Sequence, residues 1–274
     1  MQVSPQPPVA PAAPSSLPAV LGAWLPGFGR NSLAAEAPAG ALAQPDYGAL
    51  QGLEGAKLLT GLGALVKAGH VDRGYGASVS ELFARVADPD GDNQVLDAYT
   101  GKTVHVASKW GGWARGLSVE HTWPRSHGAT GIANGDLHHL HVAGRAANQI
   151  RSNNPFGEIA SSTWSSKGTA AGRSERGLDA AGSVVFEPAD SVKGDIARSL
   201  LYFATRYGSD APAKYDATGF RSSLATLLKW HEADPVTDAE RARNDAVQAF
   251  QGNRNPYVDL PELAARVGAA GFGA

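Results

Sequence analysis

At 274 residues with 43% apolar side chains, the chain is long enough to bury a hydrophobic core as one large or two small domains, and its composition excludes global disorder. A formal net charge of -2 excludes a protein that coats nucleic acid by overall positive charge, so a polyanionic partner has to be met by a local cationic groove. The absence of cysteine excludes disulfides and thiolate metal sites, leaving oxygen and imidazole donors, which favour Mg²⁺, Ca²⁺, Mn²⁺ or a His-rich Zn²⁺ site.

Residues 1–45 are rich in Pro, Ala and Ser, a composition that buries too little surface to offset chain entropy, and are read as a flexible leader to a domain spanning 46–274. The first 29 residues carry no Lys, Arg, Asp or Glu, so the charged start of a secretory signal is not visible. Apolar stretches such as Pro18 to Phe28 are broken by Pro and Gly well short of the roughly 20 residues of a bilayer crossing, and no membrane partner is expected. Leu58, Leu62, Leu65 and Val66 recur at helical spacing and predict a helix within 54–70. Asp88-Pro89-Asp90-Gly91-Asp92 alternates carboxylates around a Gly in the manner of a Ca²⁺ loop. Because Tyr99 stands where a twelve-residue loop closes with Glu, a polar turn is the preferred reading.

Short strands are predicted over 95–101 and 103–106, and another at 117–119, delivering Glu120-His121. From Leu140 to Ser152 the pattern reads as a helix stopped by Asn153-Asn154-Pro155, with Arg145, Asn148 and Arg151 on one face. Ile196, Leu200, Phe203 and Tyr207 mark a helix ended by Gly208, and Thr237 with Glu240 forms a capping box for a helix running to Gly252. Trp123, Trp230, Tyr202 and Phe203 are assigned to the core rather than to a ligand platform.

Five of the eight histidines (His121, His127, His138, His139 and His141) fall within 120–154, together with Glu120, Asp136, Asn148 and Arg151. This mixture suits phosphodiester hydrolysis, which needs an activated water, a cation on the phosphate oxygens and a grip on the substrate. A neutral His121 takes a proton from water. Glu120 and the Asn148 carbonyl are hard donors suited to Mg²⁺, and Arg151 is placed to hold a phosphate oxygen. Asp136 is read as orienting a His or a helix N-terminus, or as capping a turn, and His139 and His141 as structural or solvent-facing rather than ligands. Neighbours on a strand face opposite ways, so Glu120 and His121 share a site only at a strand end, which Pro124 supplies.

Glu120-His121-Thr122-Trp123-Pro124, Asp136-Leu137-His138-His139-Leu140 and Asn148-x-x-Arg151-x-Asn153 resemble the bacterial endonuclease I family. The likeness extends through Gly194-Asp195-Ile196-Ala197-Arg198, Arg206-Tyr207, Trp230-His231-x-x-Asp234-Pro235, Arg243-Asn244-Asp245 and Asn253-Arg254-Asn255-Pro256, covering roughly 54–268. The resemblance implies an α+β fold with a ββα-metal (His-Me finger) core in a mostly helical single domain. It implies a secreted or periplasmic nuclease, expected as a monomer, that cleaves DNA and RNA through backbone phosphates with little sequence preference. On that model His121 is the general base, Glu120 and Asn148 hold one divalent ion, usually Mg²⁺ with Mn²⁺ or Ca²⁺ as substitutes, and Arg151, Asp136 and His138 complete the catalytic set. Products carry 5′-phosphate and 3′-hydroxyl ends. One departure is Asn134, where some members place a Glu suggested as general acid; metal-bound water is then the candidate acid. Two rival readings are a noncatalytic binder on a nuclease fold and a Zn²⁺ hydrolase built on His121, His138 and His141.

Overall fold

The computed structural model describes residues 43–106, 108–167, 172–208 and 216–273, without the Lys109 side chain. All but the last three residues of the expected leader lie outside these.

Helix α1 (Gly55–Ala68) buries Leu58, Leu62 and Val66 on one stripe, as the spacing predicts. Helix α2 (Tyr75–Glu81) runs into a wide π-helical turn (Leu82–Val86) that delivers the chain to the Asp88 turn. Strands β1 (Gln94–Leu96) and β2 (Thr103–His105) pair as a hairpin. A short helix α3 (Lys109–Ala114), capped by the Ser108 hydroxyl, leads into β3 (Leu117–His121). That strand pairs antiparallel with β4 (Leu140–Gly144), Glu120 facing His141 and His121 facing Leu140, and α4 (Arg145–Arg151) follows at once.

The expected helix over 140–152 is therefore a strand followed by two turns of helix. Leu117 to His121 offers hydrogen-bonding partners to Leu140–Gly144, and the pairing outweighs the local preference. The junction needs Gly144, because a Cβ there would lie 2.7 Å from Asp97 Oδ2, while the Gly144 N–H donates to Asp97 Oδ1 at 2.8 Å.

Strands β5 (Ser161–Ser165), β6 (Glu175–Leu178) and β7 (Val184–Glu187) form a separate antiparallel sheet. The remaining helices are α5 (Lys193–Tyr207), α6 (Thr218–Ala233), α7 (Asp238–Gln251), α8 (Pro256–Asp259) and α9 (Leu263–Gly271). The fold is α+β, with helices dominating and the sheets small. No helix among the described residues is long and apolar enough to cross a membrane.

Helix α5 is the axis of the core, packing on α6 and α1, with Ile196, Leu200, Phe203 and Tyr207 buried. Trp123, arriving from the end of β3, stacks on Phe203 at 4.5 Å and joins the β3–β4 hairpin to that axis. Trp230 and Tyr202 are buried as well, as assigned. Thr237 and Glu240 form the expected capping box, and Gly252 ends α7 at φ 88.

Candidate active site

The end of β3 and the outer face of α4 bound an open cleft of about 420 Å³, lined by Glu120, His121, Arg125, Ser126, Asn148 and Asn153 among others. Glu120 and His121 reach it together because β3 stops at His121 and the chain turns through Thr122 to Pro124. A larger-walled apolar cavity lined by Leu59, Trp123, Phe203 and Phe220 contains none of the expected site residues.

His121 is held on three sides. Its Nε2 lies 3.2 Å from both the backbone oxygen and Oδ1 of Asn134, and its ring packs between Tyr75 (5.7 Å) and His139 (5.5 Å). A backbone carbonyl only accepts, so Nε2 carries the proton and the neutral ring has its lone pair on Nδ1. Burial, reinforced by His139 and Arg125 and opposed by Asn134, brings the imidazole pKa down to about 3. The ring is thus neutral across the whole physiological range.

Asn148 is equally fixed. Its Nδ2 donates to Ser118 Oγ and to the Val119 carbonyl, each at 3.0 Å, which leaves Oδ1 as the face of the amide without those tethers. Glu120 is 2% exposed, and burial pushes its pKa up to about 7 against the pull of Arg151 and Tyr99. The Tyr99 hydroxyl, buried and lacking a hydrogen bond of good geometry, is one of the groups acting on that carboxylate. A carboxylate that burial drives toward protonation, beside an amide oxygen presented by a tethered side chain, is a donor pair that a hard divalent cation satisfies. Among the described residues no three acidic or imidazole side chains form a ready-made metal cage, so such an ion would keep much of its water.

Arg151 is turned inward rather than toward a phosphate. Nη1 donates to Glu120 Oε1 at 2.8 Å and to the His121 carbonyl at 3.0 Å, Nη2 donates to the Thr122 carbonyl at 2.6 Å, and the guanidinium lies 4.5 Å above the Phe156 ring. The side chain is 3% exposed. It therefore braces the end of β3 onto α4. The exposed cation on the cleft is Arg125.

Asp136 and His138 lie behind the cleft. Asp136 accepts from Tyr202 (2.8 Å), Tyr207 (2.9 Å), Gln251 (2.8 Å) and the His138 N–H (3.0 Å), the last making it a cap of the turn. Burial alone would raise its pKa, but His70, His138 and His139 hold it below the usual carboxylate range. His138 Nε2 bonds the Asn253 carbonyl and His141 Nε2 bonds Ser199, so His121, His138 and His141 do not converge and the Zn²⁺ triad is not formed. His139 bonds the Ala133 carbonyl at 2.6 Å and is structural, as is His141.

Sequence reasoning gave Asn134 no part beyond a missing acid, yet it is the partner of His121. Its position in a loop thirteen residues away offered no local signal.

The C-terminal motifs build the frame. Arg198 meets Glu240 through two bonds of 2.6 and 2.7 Å and also donates to the Asp234 carbonyl, Arg254 binds Asp259 and Asp245, and Arg243 donates to the carbonyls of Leu137 and Leu140 at the base of β4.

The endonuclease I family model matches residues 55–262. An extracellular ribonuclease of Bacillus amyloliquefaciens is 34% identical over 231 residues, covering 80% of this chain and 76% of the relative. An extracellular ribonuclease of Bacillus subtilis (strain 168) is 33% identical over 247 residues, 85% of this chain and 82% of the relative. A periplasmic deoxyribonuclease of Aeromonas hydrophila is 29% identical over 125 residues, 46% of this chain and 47% of the relative.

Proposed function

Because the chain belongs to the endonuclease I family, a group of phosphodiester-cleaving nucleases, we propose that it is an exported endonuclease that hydrolyses both RNA and DNA with one divalent cation, Mg²⁺ by preference. The ribonuclease and deoxyribonuclease names of its relatives support both substrates, and their extracellular and periplasmic descriptions support export. The observation that carries the reading is the cleft in which a neutral His121, a desolvated Glu120 and a tethered Asn148 meet.

The β3–β4–α4 unit is read as the ββα-metal finger. Glu120 and Asn148 would hold the cation, and the chemistry it would supply is neutralisation of charge on the phosphate and on the leaving oxygen. His121 Nδ1 takes the proton from the attacking water, and Asn134 keeps the proton on Nε2 so that the lone pair stays on Nδ1. Attack opposite the 3′ oxygen forms the new P–O bond and breaks P–O3′, and the departing oxygen takes a proton from water in the open cleft, leaving a 5′-phosphate and a 3′-hydroxyl. Arg151 holds Glu120 and the end of β3 in place, and Arg125 meets the substrate backbone. Asp136 and His138 act through the loop that carries Asn134, and they touch no substrate. The form proposed for the enzyme is a monomer.

Supercoiled plasmid and single-stranded RNA incubated with the protein and Mg²⁺ test the proposal, with EDTA and His121→Ala as controls. Cleavage of both, abolished by either control and leaving nicks that a ligase seals without prior kinase treatment, is expected. Intact substrate with wild-type protein, or full activity in His121→Ala, would defeat it and favour a noncatalytic binder.

A further inference from the structure

The turn between the π-helical segment and β1 is unused by the chemistry of the cleft. Asp88, Asp90 and Asp92 alternate along it, Gly91 and Asn93 adopt positive φ (73° and 62°), and β1 begins at Gln94. Asp88 is only 5% exposed. Its Oδ2 accepts the Asn93 N–H at 2.9 Å, so the carboxylate is folded into the loop. Its Oδ1 is buried with no hydrogen-bond partner, and no Lys or Arg among the described residues forms an ion pair with it. A buried anionic oxygen left without a donor is destabilising unless something positive reaches it.

The spacing says what that is. Counting Asp88 as the first position, carboxylates stand at one, three and five, and the left-handed residue Asn93 stands at six, where a Ca²⁺ loop places Gly to make its sharp turn. Position seven contributes a backbone carbonyl in such loops, and here it is Gln94. The Asn93 carbonyl bonds the Val106 N–H and the Asp97 N–H bonds the Lys102 carbonyl. Hydrogen-bonded and non-bonded pairs alternate along the hairpin, so the intervening Gln94 carbonyl is directed away from β2. The three carboxylates are not gathered around a common point in this structure, so Asp90, which is exposed, has to swing inward. Asp92 is held by the Gln94 backbone N–H and side-chain amide, both at 2.7 Å, and has to leave the latter to contribute.

We propose that residues 88–94 bind one Ca²⁺ through Asp88 Oδ1, the carboxylates of Asp90 and Asp92 and the Gln94 carbonyl, at a site separate from the cleft. Irregular oxygen ligands from one loop suit Ca²⁺ rather than Mg²⁺, which demands near-octahedral geometry. Tyr99, at the closing position, is buried in the core, so water completes the shell and the affinity falls in the range of extracellular modules, on the order of 10⁻⁴–10⁻³ M. The ion reaches the cleft by structure: β1 leads into Asp97, whose carboxylate receives the N–H groups of Tyr99 and of Gly144 at the start of α4.

Calorimetric titration of the full chain with CaCl₂ tests this in the Glu120→Ala background, which removes cation binding in the cleft. One bound Ca²⁺ with a raised Tm is expected in Glu120→Ala, and at least a roughly tenfold loss of affinity when Asp90→Ala is added. Asp90 is exposed, so that variant retains the fold, checked by circular dichroism; Asp88→Asn serves as a second, charge-removing variant. No Ca²⁺ binding in Glu120→Ala, or undiminished binding after Asp90→Ala, overturns the proposal. Plasmid cleavage by the wild-type protein is scored separately, so loss of this site leaves the nuclease reading standing.

Discussion

The cleft between β3 and α4 and the buried frame centred on Asp136 are built from the same kinds of side chain, histidines, carboxylates and amides, and differ in whether the atoms left over from their hydrogen bonds border an open cleft. In the frame, Asp136 receives four hydrogen bonds, and His138, His139 and His141 each bond a partner through Nε2 and are buried, His139 Nδ1 lying unpartnered in the interior. In the cleft, His121 is tethered through one nitrogen and Asn148 through one end of its amide, which leaves Nδ1 and Oδ1 for a substrate or an ion. Chemical capacity here follows from what the surroundings leave undone. Residue type alone would have put the centre of the site as readily at Asp136 as at His121.

The sharpest way to break that contrast is a pair of alanine variants. His121→Ala should lower the cleavage rate by roughly 10²–10⁴-fold with little change in Tm, because the proposed mechanism loses its general base from a half-exposed position. Asp136→Ala should instead destabilise the protein by about 3–5 kcal/mol in a urea titration, because two tyrosine hydroxyls and the Gln251 amide lose a charged acceptor in the interior. An Asp136→Ala protein that melts normally but cleaves nothing would move Asp136 into the chemistry and erase the distinction.

A smaller effect belongs to Asn134→Ala. The backbone carbonyl still orients His121, so loss of the second acceptor should lower kcat by roughly fivefold, the equivalent of about 1 kcal/mol, with KM unchanged. Loss as large as that of His121→Ala would mean the side chain itself handles a proton.

The mildest test is acid titration of stability. Six imidazoles, those of His70, His121, His138, His139, His141 and His231, have pKa values lowered in the fold, principally by burial. The unfolded chain therefore binds more protons than the native one below about pH 6.5, and stability present above that pH is lost as pH falls toward 4. Glu120 and Asp195, raised to about 7 and about 8, act in the opposite sense, but they are two against six. Tm should fall steadily between pH 7 and pH 4.5; a flat profile would show that the frame's histidines are not held neutral.

Much of this was legible in the chain itself. Helical spacing found α1 and α5, and Thr237 with Glu240 fixed the start of α7, because those signals are local. The Leu140–Gly144 strand was missed because five residues are too few to show either period, and only β3, some twenty residues earlier, decides between them. Arg151 was placed on the correct helix face, yet its long side chain reaches back to Glu120, a direction no spacing encodes. Glu120, His121 and Asn148 stood out in the sequence because their chemistry is distinctive, and the fold brings the three to one cleft. Asn134 was not, because its role lies in a contact across a loop.

The loop that carries Asn134 is anchored far downstream: the Leu137 N–H donates to Gln251 Oε1 at 2.9 Å, Gln251 reaches Asp136, and His138 is bound by the Asn253 carbonyl. A chain without α7 and the turn beyond it would lack those anchors, so the loop that holds His121 depends for its position on a segment more than a hundred residues further along.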